Sequence, residues 1–237
     1  MDIFLEILFS GLWVTLPALL VIFVLFFLKT FMIIPDYLSR KILHITASLM
    51  VIPVILVPTS WWVSEIVVAC LLVGVITILL IIERFKFYQG FFVEKYKHEV
   101  LFSFVIYFLV MASLIAFFWL YKGETYKYFV IMSILAWSLG DGAASIFGHL
   151  CGRHSLSGKL IEGRKSVEGS IACFVFAFAA PFIMLLAVYH SPWWLALLGS
   201  LSTALGVTIM ELFTKKGLDN LTCPLIAGII LFLFSLI

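Results

Sequence analysis

The chain has 237 residues, of which 64% are hydrophobic and 12% are charged, and its mean hydropathy is +1.22. Soluble domains are close to half apolar and a quarter charged, so one aqueous core of this size cannot bury so much apolar surface. The composition argues against a water-soluble enzyme, a disordered chain or a secreted disulfide scaffold, and a formal net charge of +2 is too small to indicate a nucleic-acid partner. We therefore predict an all-α integral membrane protein that forms a single transmembrane domain over residues 1–237.

Eight apolar segments follow one another along the chain. A helix that spans a bilayer needs about 20 mostly apolar residues, and the short connections leave no room for a separate soluble domain. The N-terminal segment lacks the basic residues of a signal peptide, so its apolar run is predicted to be a retained helix. The predicted helices cover residues 8–28, 37–57, 61–82, 101–121, 127–148, 167–189, 192–212 and 221–236.

The distribution of Lys and Arg predicts the orientation of these helices. With both termini on the non-cytoplasmic side, 13 of the 15 basic residues fall on the inner side and only Lys122 and Lys127 fall on the outer side. Nine acidic residues also fall on or near the inner side, and this mixture suits a site for a metal and phosphates better than a basic lipid-binding patch. We predict a site that faces the cytoplasm, in a cytoplasmic or endoplasmic reticulum membrane, built from segments 36–48, 137–170 and 211–224.

Asp141 is the most informative single residue, because it lies well inside the fifth predicted helix. A carboxylate at membrane depth costs several kcal/mol unless it is paired, hydrated or bound to a metal, so a functional role is the default interpretation. Gly140 and Gly142 flank it and let a ligand approach the backbone. The alternative is a close-packing interface of small residues such as Ala144 and Gly148, which does not explain the acid.

The polar connection after this helix contains incomplete versions of two motifs. Five residues separate Gly152 from Gly158, which does not fit the spacing of a P-loop. His149, Cys151 and His154 lack a fourth partner for a zinc site. We predict a solvated loop.

The segment that precedes the sixth predicted helix indicates a phosphate site. Ser166 is a plausible N-cap, and Glu168 falls in the first turn. A helix N-terminus offers free backbone N–H groups and a positive dipole end to an anion, and Lys159, Arg164 and Lys165 precede it. The alternative is that these bases only follow the positive-inside rule.

The first turns of the second predicted helix carry Arg40, Lys41 and His44. Arg40 and His44 are i, i+4 neighbours on one face. A lone helix histidine is more often packed than catalytic, so His44 alone is weak support for a site.

Further acidic residues mark helix ends at similar predicted depth. Glu83 and Glu211 close the third and seventh helices. Gly217 is predicted to end a helix and Asn220 to be an N-cap, so Asp219 either belongs to this turn or supplies a carboxylate to the site.

Four motifs carry a family resemblance and follow one another in order: Arg40-Lys41-x-x-His44, Gly140-Asp141-x-Ala143-Ala144 with Gly148 and Gly152, Lys165-Ser166-x-Glu168-Gly169-Ser170, and Gly217-Leu218-Asp219-Asn220-Leu221-Thr222-x-Pro224. In these motifs the chain resembles the CTP-dependent membrane lipid kinases. That family includes dolichol kinase, phytol/farnesol kinase and CTP-dependent diacylglycerol kinase, and it is distantly related to phosphatidate cytidylyltransferase.

The resemblance implies a phosphotransferase that moves the γ-phosphoryl group of CTP, with Mg²⁺, to the hydroxyl of a membrane isoprenoid alcohol such as a polyprenol, dolichol or phytol. Diacylglycerol is an alternative acceptor. A second alternative is a cytidylyltransferase that forms a CDP-lipid, although those enzymes usually carry a longer basic and acidic signature at the C-terminal motif. A small-solute transporter is the non-enzymatic alternative, and it requires broken helices in both halves of the chain.

The resemblance also implies roles for individual residues. Asp141 is the expected Mg²⁺ ligand, with Asp219 or Glu168 as the second carboxylate. Either His44 or an acidic residue accepts the proton of the acceptor hydroxyl, so the expected catalytic residues are Asp141, His44, Glu168 and Asp219. The expected nucleotide and phosphate contacts are Lys159, Arg164, Lys165, Ser166, Gly140, Gly142, Gly148, Gly152 and Asn220, and the acceptor side is expected to contain Arg40, Lys41, Glu83 and Glu211.

Overall fold

The computed structural model describes residues 3–31, 33–85, 98–158, 161, 165–215 and 217–237. The chain divides into two compact units, Met1–Glu124 and Thr125–Ile237, and each is described by itself. The single transmembrane domain expected over the whole chain stays a prediction.

The first unit is helical throughout its described part. Its second predicted segment is broken at Met50, because Pro53 has no N–H to donate to the carbonyl of Leu49 four residues earlier. The helices of this unit are α1 (Ile3–Thr30), α2 (Asp36–Leu49), α3 (Val51–Leu56), α4 (Trp61–Ile82) and α5 (Glu99–Ile115), and α5 continues as a π-helical segment over Ala116–Tyr121.

Two buried polar side chains connect elements of the first unit. The side chain of Glu6 on α1 is almost fully buried and accepts hydrogen bonds from Thr59, at 3.0 Å from the Thr59 hydroxyl and 3.4 Å from its backbone nitrogen. Tyr107 on α5 donates its hydroxyl to the carbonyl of Ala47 on α2 at 3.1 Å. These hydrogen bonds give Glu6 and Tyr107 polar partners inside this unit.

The second unit is built around one central helix. After a 3₁₀ turn at Glu124–Tyr126, the elements are α6 (Tyr128–Cys151), β1 (Ser155–Leu156), β2 (Lys165–Ser166), α7 (Val167–Ala187), α8 (Trp193–Phe213) and α9 (Asp219–Phe234). Helix α6 buries 14 of its 24 residues and packs against α7, α8 and α9. Burial of this kind on all sides is typical of a helix that is apolar all round.

The structure confirms the helical fold class and places a helix in each of the eight predicted segments. Within the described ranges, seven helical stretches are long and apolar enough to cross a membrane, with α2 and α3 together forming one of them. Helix α9 has only 16 residues, which makes it about 24 Å long. The hydrocarbon core of a bilayer is about 30 Å thick, so α9 is shorter than this core. Eight spans and the position of the termini therefore stay predictions. The antiparallel pair of β1 and β2, with Ser155 opposite Ser166, lies where a plain loop was expected.

Candidate functional site

Close packing of α6 on α7 accounts for most of the small residues around Asp141. A Cβ atom added to Gly140 would lie 3.1 Å from the Sγ of Cys173, and one added to Gly169 would lie 2.8 Å from the carbonyl oxygen of Ala144. These glycines lie in a close-packed contact between α6 and α7, of the kind that the alternative interpretation expects for Ala144 and Gly148.

The other glycines expected to contact the nucleotide also lie against protein atoms. A Cβ on Gly148 would lie 3.3 Å from the Oγ of Ser166, and one on Gly152 would collide with the carbonyl of Gly148. Gly142 is buried. Because packing accounts for these residues, their contact with a nucleotide stays a prediction.

Asp141 is 7% exposed on α6, and two buried cysteines lie within electrostatic range both of Asp141 and of acids on other helices. The thiol of Cys223 on α9 lies within electrostatic range of both Asp219 and Asp141. The thiol of Cys173 on α7 lies within electrostatic range of Glu211, Asp141 and Lys165. We refer to Asp141, Glu211 and Asp219 as the acidic cluster. Its members come from α6, α8 and α9.

Lys165 balances part of the charge of this cluster. Its Nζ forms an ion pair with the Glu211 carboxylate and donates a hydrogen bond to the Glu211 carbonyl oxygen at 2.9 Å. The Glu211 side chain is 6% exposed, and a carboxylate so buried keeps its charge only with a partner. Lys165 and Glu211, expected on the nucleotide and acceptor sides of the site, thus bind each other.

The N-terminus of α7 has protein partners for its first N–H groups. Ser166 is the N-cap, as predicted, and its Oγ accepts from the Gly169 nitrogen at 3.1 Å. The Val167 nitrogen donates to the carbonyl of His154 at 3.0 Å, and the Glu168 carboxylate lies near the Glu168 backbone N–H. The protein supplies its own anion at the positive end of this helix, so a phosphate bound there has to compete with Glu168.

Glu168 also contacts His154, which the sequence predicts to lie in a solvated loop. Its Oε1 lies 2.7 Å from the Nδ1 of His154, and both of its oxygens lie 3.3 Å from the His154 backbone nitrogen. This contact depends on the pairing of β1 with β2, which leaves no signal in hydropathy or spacing.

Asp219 and Asn220 lie at the start of α9, after a tight turn. The prediction that Gly217 ends a helix is wrong, because α8 ends at Phe213 with Thr214 as its C-cap. Gly217 lies in the turn before α9, where its φ is +71°, a value that a glycine accepts without strain. The N-cap of α9 is Leu218 and has no side-chain hydrogen bond. The prediction that Asn220 is an N-cap is therefore wrong, because Asn220 lies inside the first turn, where it is 9% exposed.

The described residues fit a magnesium ion only in part. Within the ranges that the structure describes, no group of three or more His, Cys, Asp or Glu side chains is arranged to hold a metal ion. Magnesium usually takes one or two carboxylates and fills its shell with phosphate and water oxygens. Asp141 and Asp219, both near Cys223, fit such a sparse set, whereas Glu168 is engaged by His154.

The remaining predicted residues lie in the other unit or outside the described ranges. Arg40, Lys41 and His44 lie in the first turns of α2. Glu83 follows α4, and its Oε2 lies 3.2 Å from the Nδ1 of His98. Their assignment to the acceptor side stays a prediction. Two predicted phosphate contacts, Lys159 and Arg164, lie outside the described residues.

Compared with known proteins, the chain matches no family model, no curated protein and no solved structure.

Proposed function

We propose that the protein is a CTP-dependent lipid kinase that transfers the γ-phosphoryl group of CTP to the hydroxyl of a membrane isoprenoid alcohol. The acidic cluster is the observation that supports this proposal most strongly. Three carboxylates from three helices, together with Lys165, lie around two buried cysteines of one unit. Such charges are costly in a membrane protein and usually mark a functional site. The motif resemblance supplies CTP and the lipid alcohol.

Phosphoryl transfer relies on positioning and on neutralisation of charge more than on covalent chemistry. Asp141 and Asp219 would hold Mg²⁺, which would neutralise the phosphate oxygens of CTP. Lys165, at the edge of the cluster, adds positive charge next to them. The Glu211 carboxylate, which accepts from the Lys165 Nζ, fixes the position of that ammonium group.

The lipid acceptor explains why such a site belongs in a membrane protein. The tail of an isoprenoid alcohol lies in the bilayer, and only its hydroxyl has to reach the interface. A protein whose helices expose apolar side chains to the bilayer can admit this substrate from the side.

The test uses the purified full-length chain in detergent micelles with a panel of polyprenols, phytol and diacylglycerol. CTP labelled at the γ position should transfer its label to an isoprenoid alcohol, with release of CDP. Label in diacylglycerol alone would reassign the acceptor. Label that enters a lipid only from α-labelled CTP, with release of pyrophosphate, would identify a cytidylyltransferase, and no labelled lipid from either nucleotide would refute both enzymes.

A variant at Asp141 tests the site. Asp141→Asn keeps the volume of the side chain and removes its charge, so transfer of label should fall below detection while the variant elutes as the wild type does on gel filtration. Glu65→Gln is the matched control, because Glu65 is an acid inside another apolar helix, α4. Full activity of Asp141→Asn would refute the assignment.

A further inference from the structure

Within the described residues, one fully buried hydroxyl of α6, that of Ser138, has no hydrogen-bond partner. Two other buried hydroxyls of the same unit donate to the carbonyl oxygen one turn earlier. On α6, Ser133 donates to Phe129 at 2.7 Å. On α8, Thr203 donates to Gly199 at 2.8 Å. Ser138 does not form this bond, although its position in the helix is equivalent.

Packing alone does not account for a serine at position 138. A buried hydroxyl that loses its hydrogen bonds to water and gains none costs free energy, and an alanine would avoid that cost. An unpaired buried group in a folded protein therefore needs an explanation, such as a bound water, an ion or a catalytic role. These considerations make Ser138 a candidate ligand group.

Ser138 lies one turn before Asp141 on the same face of α6. Residues i and i+3 of a helix are neighbours, with about 5–6 Å between their Cβ atoms. Helix side chains lean toward the N-terminus of their helix, so the carboxylate of Asp141 leans toward the turn that contains Ser138. The two residues are 0% and 7% exposed. The hydroxyl and the carboxylate are therefore placed to share one ion.

Polar residues on this face continue to the end of α6. Ser145 follows Ser138 at i+7 and His149 follows it at i+11, so both fall on the same side of the helix. Exposure rises along this series, since Ser145 is half-buried and His149 is exposed. The polar face thus leads from the exposed end of α6 to Ser138, which is its innermost member.

A hydroxyl next to Asp141 suits a magnesium site. Magnesium binds oxygen ligands in octahedral geometry and usually takes only one or two carboxylates. In P-loop NTPases this ion is held by a serine or threonine hydroxyl together with an aspartate. Ser138 and Asp141 offer the same pair of ligand types from one face of a helix.

We propose that the Oγ of Ser138 is a ligand of the divalent cation that Asp141 and Asp219 hold. This inference rests on the proposed function and adds a neutral oxygen to its metal site. The hydroxyl keeps its proton, so the negative charge of the ligand set comes from the two carboxylates alone. The other positions around the ion stay available to phosphate and water oxygens.

The first test measures cation binding without turnover. Mn²⁺, which suits the same oxygen ligands as Mg²⁺, is added to the purified full-length chain in detergent micelles, and free Mn²⁺ is measured by electron paramagnetic resonance. The binding that Asp141→Asn abolishes defines the site. Even the loss of an outer-shell partner of a metal ligand lowers metal affinity by about 10–100-fold. Ser138→Ala should therefore weaken this binding by about 10-fold or more.

Two other buried serines provide matched controls. Ser133→Ala removes a hydroxyl of the same helix that has its own carbonyl partner. Ser200→Ala removes a hydroxyl of α8 that, like that of Ser138, has no partner among the described residues, and the nearest acid of the acidic cluster on that helix, Glu211, lies 11 residues further along. Both variants should bind Mn²⁺ as the wild type does. Wild-type affinity in Ser138→Ala, or an equal loss in all three alanine variants, would overturn the proposal.

The second test separates direct ligation from an indirect effect. Ser138→Cys replaces a hard oxygen by a soft sulfur, which favours Cd²⁺ over Mn²⁺. By isothermal titration calorimetry, Cd²⁺ should bind this variant more tightly than the wild type, while Mn²⁺ binds it more weakly. Ser133→Cys should change neither affinity. A Ser138→Cys variant that loses Mn²⁺ without a gain for Cd²⁺ would exclude direct ligation and overturn the proposal.

The third test distinguishes a ligand from a residue that only supports the fold. Ser138→Ala removes an unpaired buried hydroxyl, so in chelator-treated protein its midpoint of thermal unfolding should equal or exceed that of the wild type. A lowered midpoint together with weaker Mn²⁺ binding would assign Ser138 to packing and overturn the proposal. If the wild type transfers phosphate but Ser138→Ala keeps the wild-type affinity for Mn²⁺, this inference fails alone; if the wild type transfers no phosphate, the proposed function fails.

Discussion

The close packing of α6 on α7 makes a quantitative prediction for Gly169. An alanine Cβ there would lie 2.8 Å from the carbonyl oxygen of Ala144 and 3.2 Å from the Oγ of Ser166, whereas ordinary van der Waals contact begins at 3.4 Å. The nearest atom belongs to the backbone of α6 and cannot rotate away. Gly169→Ala therefore forces α6 and α7 apart by about half an ångström.

The cost of this separation follows from the loss of contacts along the interface. Overpacking of a well-packed core costs about 1–3 kcal/mol. A gap of about 0.5 Å removes about a quarter of the attractive energy of each dispersion contact across it. Alanine in place of a helical glycine recovers up to about 1 kcal/mol. The free energy of unfolding should therefore fall by about 2 kcal/mol.

Two further glycines of the same unit provide a graded series. At Gly140 the added Cβ would lie 3.1 Å from the Sγ of Cys173, 3.2 Å from the Cβ of Ala177 and 3.3 Å from the Cys173 carbonyl oxygen. The closest of these contacts is 0.3 Å longer than the closest one at Gly169. At Gly199 the nearest atom is 3.5 Å away, on Phe234, which is ordinary contact. The order of stability should be Gly199→Ala, then Gly140→Ala, then Gly169→Ala, with the first equal to the wild type or better.

The cysteines of the chain provide the assay. Cys173 and Cys223 are buried in the second unit, and Cys70 and Cys151 are exposed. In a background of Cys70→Ser and Cys151→Ser, a thiol-reactive dye reports only the unfolding of the second unit during heating. A loss of 2 kcal/mol should lower the midpoint by roughly 4–8 °C. An unchanged midpoint for Gly169→Ala, or an equal loss for Gly199→Ala, would refute the packing argument.

Three further predictions use the same assay. Ser166→Ala removes the N-cap of α7 and should cost about 1 kcal/mol; an unchanged midpoint would mean that the hydrogen bond to Gly169 contributes nothing. Lys165→Met leaves the Glu211 carboxylate buried without its ammonium partner and should cost about 3 kcal/mol, and the double variant with Glu211→Leu should regain most of that loss. Tyr189 donates its hydroxyl to the carbonyl of Thr125 at 2.6 Å, and burial raises the pKa of this hydroxyl above its ordinary value. Tyr189→Phe should therefore cost about 1 kcal/mol at pH 7. The stability that comes from the raised pKa of Tyr189 is fully present below about pH 10 and is lost as the pH rises above that value. The free energies of unfolding of the wild type and of Tyr189→Phe should therefore converge at alkaline pH. A gap between them that grows with alkaline pH would contradict this account.

Hydropathy predicted the helices because it is a local property. Each of the eight apolar segments is helical, and Ser166 caps α7 as its position before an apolar run indicated. Asp141 stands out in the sequence, because a carboxylate inside an apolar helix is unusual whichever residues surround it in space. The prediction of the N-cap of α9 at Asn220 is wrong, because the turn at Gly217 lets the helix begin two residues earlier, with Leu218 as its N-cap.

The sequence by itself determined that this protein belongs in a bilayer and where its helices lie, since composition and spacing carry that information along the chain. Only the tertiary structure decided which of its polar residues meet. Lys165 binds Glu211 across 46 residues, and Glu168 binds His154 across 14. These pairings depend on the rotation of each helix about its axis and on the register of β1 against β2. Neither is encoded in the hydropathy of any one segment.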